Sequence, residues 1–266
     1  KRLVPPPPAV MKMVMLMGTW PGIRPIEALI SCPIVRRDGQ VRTEAGYDAA
    51  THTYLTKDVT TDPIGETAED ATAALAKLLG LLADFPFKDR ARGQAVWLAA
   101  LLTLLTRSQY DVAPLFLARG NAPGCGKGTL MDLLGLIAEG ERFATTPYEA
   151  GEPDRAKTIF SCLREGASTL YYDNVNEKFD VDSTSLAQSL TSARFKARIL
   201  GLSETEAPAN SATWLMSGNG TVLSREIARR TLVVDLFTTT TAGQARDYKI
   251  KNITRHVKTH RGEYLA

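Results

Sequence analysis

Cysteine and histidine are scarce in this chain, and their placement excludes several classes of protein. Cys32, Cys125 and Cys162 are far apart with no paired spacing, so a disulfide framework is not expected and a reducing compartment is. His52, His256 and His260 form no ligand set with them, which argues against a zinc site. Long hydrophobic runs are missing too. The longest, residues 95–105, is too short to cross a bilayer, and no charged-then-apolar signal opens the chain. A soluble, intracellular protein with no membrane partner is therefore expected. Charge of one sign is also lacking: 32 Lys and Arg against 29 Asp and Glu leave a formal charge of +3, too little to announce a nucleic-acid binder by bulk attraction. Any argument for nucleic acid has to come from where the basic residues sit.

What is present is a globular composition, 44% hydrophobic over 266 residues, enough for one sizeable core and a smaller appended unit. Its most informative stretch is Gly120-Asn121-Ala122-Pro123-Gly124-Cys125-Gly126-Lys127-Gly128-Thr129, preceded by the apolar Leu115-Phe116-Leu117 and followed by Leu130, Leu133, Leu134 and Ile137 at helical spacing. Strand, glycine-rich turn and helix in this order make a phosphate-binding loop. Glycines let successive backbone N–H groups face phosphate oxygens, and the helix start adds partial positive charge. Residues Ala122, Pro123, Gly124, Cys125, Gly126, Lys127, Gly128, Thr129 and Leu130 are the candidate nucleotide-binding segment. Lys127 would reach the β and γ phosphates, and Thr129 is a candidate Mg²⁺ ligand. Two positions depart from the strict pattern: Gly120 lies one residue too far upstream, and Gly128 occupies the usual serine or threonine place. A plain helix-capping turn is the alternative, but it gives no reason for a lysine here.

Three further features follow in order. Residues 168–174 read as an apolar strand ending in Asp173, where a nucleotide site needs a carboxylate for Mg²⁺ or its waters. The next residue is Asn174, which cannot accept a proton from water, so Glu177 is a candidate substitute base, with a solvated loop residue as the equal alternative. Residues 212–216 read as a strand leading into Ser217-Gly218-Asn219-Gly220; the Asn219 amide suits a γ-phosphate or water contact, though Gly-Asn-Gly is also an ordinary turn. Arg229 and Arg230 then precede an apolar strand at 232–237, placing a guanidinium where it would reach the ATP of an adjacent subunit, or simply end a basic helix.

Around this centre the chain divides into a Pro-rich linker (1–10), a small β-rich accessory region (11–66), a helical region (67–110), the ATPase core (111–240) and a basic C-terminal segment (241–266). Pro5 to Pro8 and the start at Lys1 are expected to mark a fragment of a longer polypeptide. Met11, Met13, Met15 and Met17 are expected to fill a core. Short strands are predicted between 28 and 55, with turns at Arg37-Asp38-Gly39-Gln40 and at Gly46-Tyr47-Asp48. A solvated hairpin explains Arg36, Arg37 and Arg42 better than a phosphate backbone does. Helices are predicted over 67–83, 89–107 and 154–165.

The segments CPIVRRDGQVRTEAGYD, APGCGKGTL, LYYDNV, SLAQSLTS, RILGLSE, WLMSGNG and REIARRTLVVDL together resemble AAA+ ATPases of the superfamily 3 helicase type, more closely the helicase part of phage and mobile-element primase-helicases. The resemblance implies an α/β fold, a P-loop core of parallel sheet between helices, with the β-rich unit and helical linker on its N-terminal side. It also implies a homo-oligomeric ring, expected to be hexameric, with ATP and Mg²⁺ between subunits, single-stranded DNA as partner, a primase-like domain upstream, and the cytoplasm of a bacterial host. Under it Lys127 and Thr129 bind nucleotide and metal, Asp173 matches the second acidic motif, Asn219 the sensor, and Arg230 or Arg229 the arginine finger.

A DNA-touching hairpin maps to about 195–210, with Arg194, Lys196 and Arg198 on or before its first arm and Glu204 and Glu206 at its tip. The basic tail Arg246, Lys249, Lys251, Arg255 and Lys258 is an alternative DNA surface, and a solvated helix face explains it equally well. Asn174 stands where many AAA+ proteins carry a catalytic glutamate. The leading expectation is an ATP-driven helicase or translocase for replication. A slow ATP-binding assembly or loader module is the alternative, and a nucleoside monophosphate kinase, whose loop PGxGKGT resembles, is the second; those kinases open with the loop, whereas here over a hundred residues precede it.

Overall fold

A computed structural model describes residues 5–17, 20–175, 180–199, 204–239 and 249–266. The strands that build the centre, β6 (Leu115–Gly120), β7 (Thr169–Val175), β10 (Thr213–Asn219) and β11 (Thr231–Leu236), are almost continuously apolar, as strands covered on both faces must be. They pair parallel in the order β11-β6-β10-β7, so β10 lies between the loop strand and the acidic strand. Alternation along each strand divides the core in two. Phe116, Ala118 and Leu215 face one cluster, with Trp97, Leu101 and Leu134; Leu115, Leu117, Trp214 and Met216 face the other, with Ile159, Phe160 and Leu163.

The first face is covered by α3 (Arg90–Thr106) and α4 (Lys127–Ala138), locked together where the buried Trp97 Nε1 donates to Leu130 O at 3.0 Å. The second is covered by α5 (Glu152–Arg164) and α6 (Thr184–Ser189). Arg107, in a 3-10 turn after α3, donates from Nε to Ala212 O at 2.8 Å and from Nη2 to Asn210 O, fixing the entry to β10. Its burial pulls the guanidinium down to about 10.

Ahead of this core, β1 (Ala28–Ile30), β4 (Gly46–Asp48) and β5 (Thr53–Leu55) form a small sheet in the order β1-β5-β4, and β2 (Ile34–Val35) pairs antiparallel with β3 (Val41–Arg42). The predicted turn at 37–40 joins β2 to β3. The turn expected at Gly46-Tyr47-Asp48 is instead strand β4, because the buried Asp48 carboxylate anchors that segment: Arg36 Nε donates to it at 2.9 Å, and the N–H groups of Ala50 and Thr51 donate to its other oxygen. Burial alone would raise this carboxyl; the Arg36 hydrogen bond and the backbone donors hold it below its ordinary value.

Helix α2 (Ala68–Leu81) starts on a reciprocal Thr67 and Asp70 capping box. The predicted helical stretches thus fall on α2, α3 and α5. The methionine segment is a helix, α1 (Pro8–Leu16), but not core: Met13 is 70% exposed and Met11 49%. Methionines two residues apart point around a helix, not along one face, so they cannot be buried together. The C-terminal helices α8 (Ile253–Thr259) and α9 (Arg261–Leu265) return against α4, where Arg261 donates to Ile137 O at 2.8 Å and to Ala138 O at 2.6 Å, capping its last carbonyls.

Candidate functional site

The site lies at the carboxyl end of the parallel sheet, where open α/β folds bind ligands. β6 ends at Gly120 and α4 starts at Lys127, with Gly124 (φ +76°) and Gly126 (φ +104°) taking left-handed conformations that favour glycine in the turn between. The one-residue offset of Gly120 has a steric reason: a Cβ there would come 2.3 Å from Cys125 Sγ and 3.1 Å from the Lys127 side chain, so the loop folds directly over it. Leu130 N–H to Gly126 O is the bond that begins the helical ladder, which leaves the N–H groups of Lys127, Gly128 and Thr129 as the donors of the helix start. A Cβ on Gly128 would meet nothing within 4 Å, so this first turn opens into free space. Ala122 is half-buried, Pro123 and Gly124 are exposed, Cys125 is buried, and Leu130 packs in the core.

Lys127 is 8% exposed, and its Nζ donates to Asn219 Oδ1 and lies 3.7 Å from Cys125 Sγ. Asn219 pairs with Gly120 in register at the ends of β10 and β6, which is why two residues far apart in sequence meet. One strand further, the exposed Asp173 carboxylate is fixed through Oδ1, which accepts from Tyr171 Oη at 2.8 Å and from Ser217 Oγ at 2.6 Å. Ser217 Oγ in turn accepts the N–H of Asn174 at 3.1 Å, and Asn174 sits at φ +52°. Lys127, Asn219 and Asp173 are therefore brought to one end of the sheet, linked through β10. Glu177 lies outside the described residues.

The register between β7 and β10 shifts between Met216 and Gly218, a bulge beside the site. A Cβ on Gly218 would lie 2.7 Å from Val175 O and 2.0 Å from Thr221 Oγ1. Since the first of these is backbone, Gly218→Ala must push the two strands apart. We expect it to lower stability by about 1–3 kcal/mol, read as a shifted denaturant midpoint; an unchanged midpoint would mean the strands are not in contact there.

Two residues of the site region carry no motif signal and were not expected. Asp132 follows Thr129 by three positions and shares its helix face; its Oδ2 lies 3.1 Å from Arg142 Nε. Burial pushes the Asp132 carboxyl up, Arg142 opposes this, and the negative charge of Asp173 adds to it. Arg142 also lines a cavity of about 310 Å³ beside the loop, shared with Phe85, Pro86, Gly126, Thr129 and Ile253.

Other expected site residues lie elsewhere. Arg230 and Arg229 stand at the amino end of the sheet, where Leu115 N–H donates to Arg230 O and Thr231 pairs with Leu115. Arg230 Nη1 donates to Glu226 O at 2.7 Å and pairs with the Glu226 carboxylate, which Arg229 Nη2 also reaches at 2.9 Å. The hairpin consists of β8 (Ala197–Arg198) and β9 (Thr205–Glu206), antiparallel. Arg194, Lys196 and Arg198 are all exposed, two positions apart. Glu206, expected at the tip, is on the second arm with its carboxylate 2.8 Å from Arg164 Nε of α5, and Glu204 leads into that arm. Both positions belong to the arm, because Glu206 pairs with Ala197 and Glu204 O accepts from Ile199 N–H. In the basic tail, Arg246 lies outside the described residues, and Arg255 and Lys258 are on α8.

Among the described residues no helix is long and apolar enough to cross a membrane. No family model and no curated protein matches the chain. Among solved structures it is similar to the A-form apo structure of the NrS-1 C-terminal region, at 13% identity with a TM-score of 0.48, over 97% of this chain and 59% of that one. It is also similar to the JCV helicase, at 12% identity with a TM-score of 0.41, over 75% of this chain and 53% of that one. The chain thus spans less than two thirds of the length of either structure.

Proposed function

We propose that this chain is the ATPase module of an AAA+ helicase or translocase of the superfamily 3 type, working in phage or mobile-element DNA replication. The observation that carries the reading is the joining of Lys127 to Asn219 at the mouth of a glycine-wrapped helix start, with Asp173 anchored one strand away. In this reading the first-turn N–H groups of α4 and the Lys127 ammonium bind the phosphates of ATP. Mg²⁺ suits hard oxygen donors, here Thr129 Oγ1 and the Asp173 oxygen left over once Oδ1 is fixed. Bound there, the ion would neutralise charge on the phosphates. Asn219 orients the attacked end of the nucleotide, and Arg230, or its neighbour Arg229, acts on the ATP of the next subunit in a ring. Arg194, Lys196 and Arg198 track a single-stranded DNA backbone, and a primase-like domain lies upstream in the parent polypeptide.

The test is ATP turnover with and without single-stranded DNA, with solution mass followed in parallel. Turnover stimulated severalfold by DNA, in a species larger than the monomer, is expected. A second reading, a slow ATP-binding assembly or loader module, is favoured by Asn174, whose side-chain amide cannot accept a proton from water as a carboxylate can. ATP-dependent assembly with no DNA-stimulated turnover would select the loader; transfer of phosphate to nucleoside monophosphates would replace both readings with a kinase.

A further inference from the structure

The cavity beside the phosphate loop is distinct in chemistry from the cluster at the sheet end, since none of Lys127, Asn219 and Asp173 lines it. It is lined by Gly126 and Thr129 of the loop and helix start, by Phe85 and Pro86 ahead of α3, and by Ile253 of α8. Among the described residues lining it, Arg142 is the only cation. Asp84 also lines it, and its carboxylate accepts from Lys249 N–H at 2.8 Å. Among the described residues Arg142 forms an ion pair with Asp132, through one nitrogen, and its side chain is 65% exposed against 23% for Asp132. A single-point, solvent-facing pair of this kind is weak and easily exchanged. A guanidinium facing a helix start is also well suited to a phosphate, which it can grip through two parallel N–H groups.

We propose that Arg142 is a nucleotide-binding residue acting within its own subunit, and that Asp132 competes with the nucleotide for it. The proposal rests on the reading of the loop as an ATP site. The cavity is lined by Gly126 and Thr129 but not by Lys127 or Asn219, so Arg142 engages the nucleotide through phosphates that ATP and ADP share. Asp132, kept near Asp173 by the fold, then trades its guanidinium partner for solvent when nucleotide enters. The two members of one ion pair therefore have opposite effects on affinity, which a purely structural pair does not produce.

The experiment is calorimetric titration of the whole chain with ATP and with ADP, for the unsubstituted protein, Arg142→Ala, Arg142→Lys, Asp132→Asn, the Arg142→Ala/Asp132→Asn double variant and Lys127→Met, each with a thermal unfolding curve. Arg142→Ala should weaken ATP and ADP by the same factor, about tenfold or more, and Arg142→Lys should recover part of the loss. Asp132→Asn should tighten both by about twofold to fivefold. The double variant should behave as Arg142→Ala. The inference is overturned if Arg142→Ala binds both nucleotides within about twofold of the unsubstituted protein, if it weakens ATP alone, or if Asp132→Asn weakens binding as Arg142→Ala does. Failure of the unsubstituted protein to bind either nucleotide, or equal binding by Lys127→Met, overturns the loop reading itself and this inference with it.

Discussion

An Arg230→Ala protein is expected to bind ATP with unchanged affinity and to lose turnover by about 10³-fold or more, the range an arginine finger supplies. The reason is distance. Thr231 pairs with Leu115 at one end of β6, while the loop leaves β6 at Gly120, about 17 Å away at the rise of a strand. No arginine side chain spans that gap within one subunit, so Arg230 can reach a γ-phosphate only from a neighbour. Its surroundings suit such a role: the side chain is 19% exposed, Nη1 is held by Glu226, and Nε is buried with no hydrogen-bond partner among the described residues. Arg229, 63% exposed and also paired with Glu226, is the comparison. If Arg229→Ala loses turnover and Arg230→Ala does not, the roles exchange between neighbours. Mixing Lys127→Met with Arg230→Ala subunits should restore part of the turnover, because each supplies what the other lacks at a shared site. Loss of ATP binding by Arg230→Ala would instead place the residue in its own subunit's site and contradict the geometry of β6 and β11.

How far the sequence discloses this arrangement differs by element. The strands were legible as short apolar runs, Leu115 to Leu117, Leu170 to Tyr172 and Trp214 to Met216, which fit strands covered on both faces, while their parallel arrangement came only with the family resemblance. The loop was legible because its glycines have local causes, Gly124 and Gly126 in φ and Gly120 in its approach to Cys125. The meeting of Lys127 with Asn219 is a matter of register, and the strand order that sets register is not encoded in any local window. Asp132 and Arg142 were invisible for a related reason. Nothing in α4 distinguishes Asp132 from a solvated helix residue until the chain after α4 turns back and places Arg142 against it. The methionines misled because four apolar side chains in close succession suggest core filling, whereas on helix α1, which Pro8 starts, side chains two apart diverge. Gly46 to Asp48 misled because turn-forming residues were read locally, while the pair of half-buried Arg36 with buried Asp48 is formed across the accessory unit.

Replacing Lys127 by methionine is expected to reduce ATP affinity by about 10²-fold or more, since the ammonium would make charge-assisted bonds to two phosphates, each worth roughly 1.5–3 kcal/mol. Turnover should fall with it. The same variant carries a second, opposite expectation for the protein alone. Lys127 is 8% exposed and its ammonium is held by Asn219 Oδ1, so its charge is largely removed from water. Methionine keeps the apolar stem against Gly120 and Cys125 and removes the buried charge, whose desolvation cost offsets the bond lost by the half-buried Asn219. The unfolding midpoint of Lys127→Met should therefore equal or exceed that of the unsubstituted protein while its ATP-induced shift disappears. Asn219→Ala acts in the reverse sense: it leaves the buried ammonium without that acceptor and should cost roughly 1–3 kcal/mol of stability, while the lysine remains free to bind phosphate. Measuring both variants by denaturant unfolding and by nucleotide titration separates the two roles. If Lys127→Met keeps its ATP affinity, the loop does not bind phosphate through this lysine. If Asn219→Ala is no less stable than Lys127→Met, the amide is not what holds the ammonium in place, and the coupling of loop to sheet must run through Gly120 and Cys125 instead.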